Sequence, residues 1–346
     1  MKKGHSWGLH RVIDQVVKLP QAAAKLDNSL PIYSSEILIE VDCLNIDAAS
    51  FVQMENETDG DESRIAGIIL QNTRSNGKQQ NRVTGSGGML IGKVKEIGRD
   101  YKGPCQFSVG DRIATMVSLT LTPLHLEEII SVNKRSHQVS VRGHAILFES
   151  GIAAKLPKDI SERAAMAAFD VAGAPATVYA LSRSGDSVLI IGGGGKAGIL
   201  SCAAARRKVG RSGRVFAVES FASAANDLKK LGVCDAVWSL DATNPVAVSS
   251  RVASVTHDRM VDVVANVASV ADTELSAILS CRAKGKVLLF SMATSFTKAT
   301  LGAEGVASQA TLILGNGYYP GHVRFVLNQL RKSSALLQLF HHRYGS

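Results

Sequence analysis

The pattern of hydrophobic and polar positions divides the chain into two parts with different periods. In residues 1 to about 155, short stretches alternate apolar and polar side chains, as at 36–42 and, more loosely, at 89–98. A period of two predicts half-buried strands, so this part is expected to be rich in β-structure. From Ser187 onward, short apolar runs alternate with longer stretches of helical period, which predicts a parallel sheet covered by helices.

The elements of the second part can be placed individually. Strands are expected at residues 187–191, 214–219, 236–240, 260–266, 285–291 and 310–315. Helices are expected at residues 161–168, after the small-residue segment at 170–176, and at residues 197–209, 222–231, 245–254, 272–281 and 321–332. The predicted fold class is α/β, with a doubly wound Rossmann sheet following a β-rich domain. A polar insert at residues 56–78 is expected to be helical and to lie on the surface.

The most informative stretch, residues 188–200, joins the first of these strands to the next helix. Four apolar β-formers lead into a run of glycines. The spacing of Gly192, Gly194 and Gly198, or alternatively of Gly192, Gly195 and Gly198, comes close to the strict dinucleotide fingerprint without matching it. Glycines at such a turn let backbone amides approach a pyrophosphate at a helix N-terminus, which predicts dinucleotide binding.

Two charged residues refine this prediction. Lys196 begins the helix that follows the glycines and is expected to contact the pyrophosphate or a substrate carboxylate, unless it is simply solvent-exposed. Glu219 ends the second strand, 21 positions after Gly198. A carboxylate there accepts hydrogen bonds from ribose hydroxyls and repels a 2′-phosphate, so NAD is the predicted cofactor.

Two further strands supply candidates for the nicotinamide pocket. Ligands of open parallel sheets bind beyond the carboxyl ends of the strands, at the switch in strand order. The residues expected to line the pocket there are Asn266, Ser291, Met292 and Ala293. The alternative interpretation is that these are ordinary loop residues.

Composition narrows the class of protein. The 346 residues are 45% hydrophobic, contain no run of 18 apolar residues, and begin with no signal-like apolar stretch. Five scattered cysteines without a C-x-x-C pair favour a reducing cytoplasm over a disulfide framework. The net charge of +9 comes from scattered basic residues and is interpreted as solvated helix faces, so no nucleic-acid partner is predicted.

The order of these parts resembles the medium-chain dehydrogenase/reductase superfamily. Segments at 44–50, 109–112 and 192–198 lie where that superfamily has its matching segments. The resemblance implies a β-rich, GroES-like catalytic domain formed by residues 1–155 and 316–346, and a Rossmann domain at 156–315. By analogy with related folds, a homodimer or homotetramer pairing through the strand at 311–314 is expected.

A more specific resemblance covers nearly the whole chain. Segments at 83–92, 147–151, 170–176, 301–305 and 315–322 are similar to those of the 3,5-diaminohexanoate dehydrogenase family. That resemblance implies an NAD-dependent oxidative deamination of L-erythro-3,5-diaminohexanoate to 5-amino-3-oxohexanoate, with release of ammonium, in lysine degradation.

The zinc ligands of the wider superfamily have no counterparts in this sequence. Asp47 occupies roughly the first ligand position, and residues 87–89, Gly-Gly-Met, replace the Gly-His-Glu segment. A catalytic zinc normally needs three protein ligands, so no metal is predicted.

Four side chains are candidates for the chemistry in place of a metal. Asp170 follows an apolar helix and is expected to orient an amine or activate water, although it is equally suited to a turn. Asp47 lies where related enzymes place active-site groups. Glu304 is expected in a glycine-rich loop, either within reach of a substrate ammonium or facing solvent. His322, at the start of the last helix, is either a proton shuttle or a cap or surface residue.

Two other functions remain open from the sequence. The absence of metal ligands is equally compatible with a zinc-independent quinone or enoyl reductase. Glu219 argues against such a reductase, because that family is similar to enzymes that mostly use NADPH, whereas Glu219 favours NAD. A non-catalytic cofactor-binding protein that contacts nucleic acid through its basic faces is the other alternative.

Overall fold

The computed structural model describes residues 2–13, 18–83, 85–104, 106–134, 136–315 and 317–345, and Cys105 lies outside these ranges. The chain divides into two units, residues 1–162 and 163–346. The predicted fold class is confirmed, since one unit contains an antiparallel sheet and the other a parallel sheet with helices.

The first unit is built on a six-stranded antiparallel sheet. Its strands are β1 (Ile37–Asn45), β2 (Met89–Ile97), β3 (Arg112–Thr115), β4 (Leu124–Asn133), β5 (Gln138–Leu147) and β6 (Ala153–Lys155). They pair in the order β4-β5-β1-β2-β3-β6. Ile37, Ile39 and Val41 are buried, as the period of two predicted, but Glu36 and Leu38 are buried as well, so only Glu40 of residues 36–42 is exposed.

The insert of the first unit forms two helices, α1 (Ala48–Glu57) and α2 (Glu62–Asn76). The chain turns between them through Asp59 and Gly60, both at positive φ, and Asp61 caps α2 by accepting from the Ser63 and Arg64 amides. The expected surface position is only half correct, because Ile65 and Ile69 are fully buried in the core of this unit.

The second unit contains a six-stranded parallel sheet. Its strands are β7 (Ser187–Ile191), β8 (Arg214–Val218), β9 (Ala236–Trp238), β10 (Val261–Asn266), β11 (Cys281–Leu289) and β12 (Thr311–Leu314). The order β12-β11-β10-β7-β8-β9 is that of a Rossmann sheet, and the order reverses between β7 and β10. Ligands of such sheets bind at that switch point.

Helices accompany the strands along the whole unit. They are α3 (Glu162–Phe169), α4 (Gly173–Leu181), α5 (Lys196–Val209), α6 (Ala222–Leu231), α7 (Pro245–Thr256), α8 (Glu274–Leu279), α9 (Phe296–Gly305), α10 (His322–Lys332) and α11 (Ser334–Tyr344). Two of them, α9 and α11, were not expected from the sequence.

The C-terminal helices lie elsewhere than the sequence suggested. Residues 316–346 were expected to return to the β-rich domain. In the structure α10 packs against α4 and α5, and α11 packs against α6, all within the second unit. The physical reason is an apolar face on α10, where Val326 and Leu330 are fully buried.

Candidate active site

The glycines in the turn between β7 and α5 have different structural roles. Gly192 has a φ of 82°, which favours glycine. A Cβ on Gly198 would lie 2.1 Å from the Gly192 carbonyl oxygen, so helix and strand pack too closely for any side chain there. A Cβ on Gly195 would meet no protein atom nearer than 3.8 Å. The space beside Gly195 is therefore left for a ligand.

Glu219 meets the glycine turn directly. Its Oε2 accepts a hydrogen bond of 2.8 Å from the Gly194 amide, and its Oε1 accepts one of 2.9 Å from the Phe221 amide. The side chain is buried, with 7% exposed. Each carboxylate oxygen has a further lone pair, so these bonds orient the group and leave it able to accept from a ribose diol.

A cavity of about 370 Å³ opens between the glycine turn and Glu219. Predicted residues that line it are Gly192, Gly194, Gly195 and Glu219. Lining residues that the sequence reasoning missed include Phe221, Asp241 and Val270. Phe221 could have been identified from the sequence, because it is a large apolar residue that closely follows the acidic residue at the end of the strand. Asp241 brings a second carboxylate to the same cavity.

Lys196 and Asp170, predicted for different roles, form one ion pair. The Lys196 Nζ lies 2.7 Å from the Asp170 Oδ2, and both side chains are half-buried. Burial opposes the charged amine, but the Asp170 carboxylate outweighs it and raises the pKa of Lys196 above its ordinary value. Asp170 therefore keeps Lys196 protonated and in place at the first position of α5. Asp170 is thus a positioning residue for Lys196 as well as a candidate catalytic residue.

The predicted nicotinamide-pocket residues follow the carboxyl ends of β10 and β11, as expected. The buried amide of Asn266 donates to the Thr273 Oγ1 at 2.8 Å and so shapes the loop after β10. The Ser291 Oγ accepts from the Ala293 amide at 3.1 Å, which shapes the loop after β11. Met292 is 87% exposed. The hydrogen bonds of Asn266 and Ser291 therefore stabilise the loops that follow β10 and β11.

Asp47 lies in the first unit, two residues after β1. It is the N-cap of α1, and its Oδ1 accepts a hydrogen bond of 3.0 Å from the Ser50 amide. Its Oδ2 is buried without a hydrogen-bond partner in the described part of the chain. A buried carboxylate oxygen lacking a donor is costly, so the helix cap alone does not account for an aspartate at this position.

Two predicted catalytic residues occupy unexpected settings. Glu304 is not in a loop but in the last turn of α9, where it is exposed. Gly302, the residue that suggested a loop, instead allows close packing, since a Cβ there would lie 2.8 Å from Leu275. His322 is the first residue of α10 and is only 4% exposed. Burial lowers the pKa of His322, so the ring is neutral at pH 7.

His322 should make stability depend on pH in a specific sense. Because its pKa in the folded state lies below the unfolded value of about 6.5, the unfolded chain binds the proton more readily. The free energy of unfolding should therefore fall as pH drops through about 6.5 and level off below the folded pKa. Thermal melts from pH 8 to pH 5 should show a smaller decrease for His322→Asn than for wild type.

The control for this measurement is His257→Asn. His257 is exposed and ends α7 in the left-handed region, which asparagine tolerates. An equal loss of stability with pH in His322→Asn and in wild type would contradict the assignment.

The first unit contains a larger cavity, of about 490 Å³, between α1, α2 and the following loop. Charged lining residues are Glu57, Arg64 and Arg82, and side-chain amides come from Gln53, Gln71, Asn72 and Asn81. Asn81 is buried and donates to the Gln53 Oε1 at 2.7 Å. This lining offers both donors for a carboxylate and an acceptor for an ammonium group.

Among the residues that the structure describes, no three His, Cys, Asp or Glu side chains cluster in a way that suits a metal ion. Within the same ranges no single helix is long and apolar enough to span a membrane, although the bent pair α3 and α4 together meet those requirements.

The fold and the glycine turn define the class of protein. A mycobacterial quinone oxidoreductase has a similar structure, with a TM-score of 0.53 and 18% identity, over 91% of this chain and 83% of that one. At this identity the likeness establishes the fold alone, which combines an antiparallel sheet in one unit with a parallel Rossmann sheet in the other.

Sequence similarity identifies the family within that class. The model of the L-erythro-3,5-diaminohexanoate dehydrogenase N-terminal domain matches residues 10–157. L-erythro-3,5-diaminohexanoate dehydrogenase of Acetoanaerobium sticklandii is 47% identical over 342 residues, 99% of each chain. The enzyme of that name from Fusobacterium nucleatum subsp. nucleatum is 46% identical over 99% of this chain and 100% of its own. The chain belongs to the L-erythro-3,5-diaminohexanoate dehydrogenase family.

Proposed function

We propose that the chain is an NAD-dependent dehydrogenase that converts L-erythro-3,5-diaminohexanoate into 5-amino-3-oxohexanoate and ammonium, in lysine degradation. The observation that carries this proposal is 47% identity over 99% of the chain to a dehydrogenase of that name. In the balanced reaction the protonated amine, NAD⁺ and water yield the ketone, ammonium, NADH and one proton.

The second unit fits a dinucleotide on structural grounds. The open space beside Gly195 and the first amides of α5 suit a pyrophosphate, with Lys196 as a nearby charge. Glu219 at the cavity suits a ribose diol. When bound, the nicotinamide supplies the hydride acceptor. Asn266, Ser291, Met292 and Ala293 are proposed to line its site.

Four side chains are proposed to handle the substrate. Asp47 is proposed to orient the reacting amine and then to accept a proton from it, which requires its buried Oδ2 to become accessible when the substrate binds. Asp170 and Glu304 are proposed as further acidic contacts, and His322, neutral at pH 7, as a proton acceptor.

The carboxylate of Glu219 should control the choice between NAD and NADP. In wild type the Kd for NADP should exceed that for NAD by about 100-fold, because Glu219 repels a 2′-phosphate. Glu219→Gln removes the charge and also replaces one of the two oxygens that accept from the Gly194 and Phe221 amides with an NH2 group. NAD should therefore bind less tightly, and the ratio of the two Kd values should fall by about tenfold, or about 1.4 kcal/mol. Fluorescence titration with both dinucleotides measures the ratio.

Asp241→Asn is the matched control for Glu219→Gln, because Asp241 is the other carboxylate that lines this cavity. If Asp241→Asn lowers the ratio equally, the net charge of the cavity controls selectivity. A wild-type preference for NADP would contradict the assignment.

The decisive experiment follows NADH at 340 nm with purified 3,5-diaminohexanoate and assays ammonium in parallel, with and without a chelator. We expect both products in equal amounts and no effect of the chelator. Loss of activity with the chelator would show that a metal takes part after all. Turnover of a quinone or an enoyl substrate, but not of the diamino acid, would establish the reductase alternative.

We also propose that the enzyme works in the cytoplasm as a homodimer or homotetramer, without a nucleic-acid or membrane partner. The edge position of β12 and its partly exposed side chains, such as Leu314, support pairing of two copies along that strand. Sedimentation velocity distinguishes these states from a monomer.

A further inference from the structure

The C-terminal helix reaches back to the glycine turn through one side chain. Arg343, in the last turn of α11, donates from Nη1 to the Gly194 carbonyl oxygen at 2.6 Å. The two residues are 149 positions apart in the sequence. The Arg343 side chain is largely buried, with 18% exposed, so this contact is not a chance surface encounter.

A second residue holds the guanidinium in place. Asp227, on α6, accepts hydrogen bonds from Nη2 at 2.5 Å and from Nε at 3.2 Å of Arg343. The guanidinium lowers the pKa of Asp227 below its ordinary value. Because Asp227 occupies two of the nitrogens, the third is aimed at the glycine turn with little rotational freedom.

The contact fixes the turn at the residue that matters for a ligand. The Gly194 amide is bound by Glu219 at 2.8 Å, and its carbonyl is bound by Arg343. That carbonyl shares a planar peptide with the amide of Gly195, which donates to the Gly192 carbonyl oxygen at 3.4 Å, so Arg343 and Gly192 hold this peptide from both sides and fix the turn just before α5. Gly195 is the glycine beside the open space, and α5 begins directly after it.

The same helix end also adjoins the start of α5. Tyr344, next to Arg343 in the chain, is close enough to raise the pKa of Lys196, although less than Asp170 does. The ion pair with Asp227 joins α11 to α6, and the bond from Nη1 joins α11 to the glycine turn. We propose that Arg343 is a positioning residue for the pyrophosphate-binding turn, so that the C-terminal helix contributes to cofactor affinity.

This inference rests on the proposed cofactor function, and titration of the full chain tests it. Arg343→Gln should raise the Kd for NAD about tenfold, the effect expected on losing a hydrogen bond from a charged donor. Arg343→Lys should restore part of the affinity. Adenosine, which lacks the pyrophosphate, should bind all three proteins equally, and the KM for the diamino acid should not change.

Lys332→Gln, which removes an exposed charge at the end of α10, is the matched control and should bind NAD as wild type does. A lower melting temperature of Arg343→Gln with an unchanged Kd for NAD would overturn the inference and leave Arg343 a helix anchor. Equal weakening of adenosine and NAD would also overturn it. Failure of wild type to bind NAD would overturn the proposed function itself.

Discussion

Gly195→Ala should weaken NAD binding by about 100-fold while the protein stays folded. The backbone at Gly195 has φ −76° and ψ 173°, which alanine adopts without strain, and a Cβ would meet no protein atom nearer than 3.8 Å. The methyl group would instead occupy the space of a pyrophosphate and lengthen its bonds to the amides of α5. A loss of about 2.7 kcal/mol corresponds to this factor. Isothermal titration with NAD measures it.

Gly198→Ala provides the contrast, because the same methyl group has a protein neighbour there. Its Cβ would lie 2.1 Å from the Gly192 carbonyl oxygen, so α5 must move away from β7. Thermal melts should show a clear loss of stability for Gly198→Ala and almost none for Gly195→Ala. Wild-type affinity for NAD in a folded Gly195→Ala variant would show that the dinucleotide does not pass this turn.

Asp47→Asn should lower kcat for oxidation of the diamino acid by about 10²- to 10⁴-fold, the range for loss of a general base. The reason is the buried Oδ2 of Asp47, which lacks a partner in the described ranges and would become an uncharged amide. Asparagine caps a helix as well as aspartate does, so α1 should remain intact. Initial rates at 340 nm and the Kd for NAD should be measured together, and the Kd should not change.

Asp61→Asn is the control for Asp47→Asn, since Asp61 caps α2 in the same way but is exposed. It should have wild-type kcat and nearly wild-type stability. A kcat for Asp47→Asn within a few-fold of wild type would remove Asp47 from the catalytic candidates and leave it a helix cap. Asp170→Asn would then be the next variant to compare.

The elements of the second unit were predictable because their signals are local. The strand at 187–191 and the helix at 222–231 have the bounds that the sequence predicted. A parallel strand buried on both faces requires an unbroken apolar run, and its covering helix requires an apolar stripe. Both requirements are met within a few consecutive residues.

Glycine shows where local signals mislead. The glycines at 302 and 305 suggested a loop, but both lie in α9. A Cβ on Gly302 would lie 2.8 Å from the side chain of Leu275 in α8, and that neighbour is 27 positions away in the sequence. A glycine required by a distant side chain looks, in sequence, the same as one required by a turn.

The sequence by itself determined the fold class, the glycine turn and the acidic strand end, because each follows from short-range periodicity or from spacing within one strand–helix unit. The tertiary structure alone decided that Asp170 pairs with Lys196 and that Arg343 binds Gly194. It also decided which oxygen of Asp47 lacks a partner. Such contacts join elements that are far apart in the chain, so their geometry depends on how helices pack rather than on any local pattern.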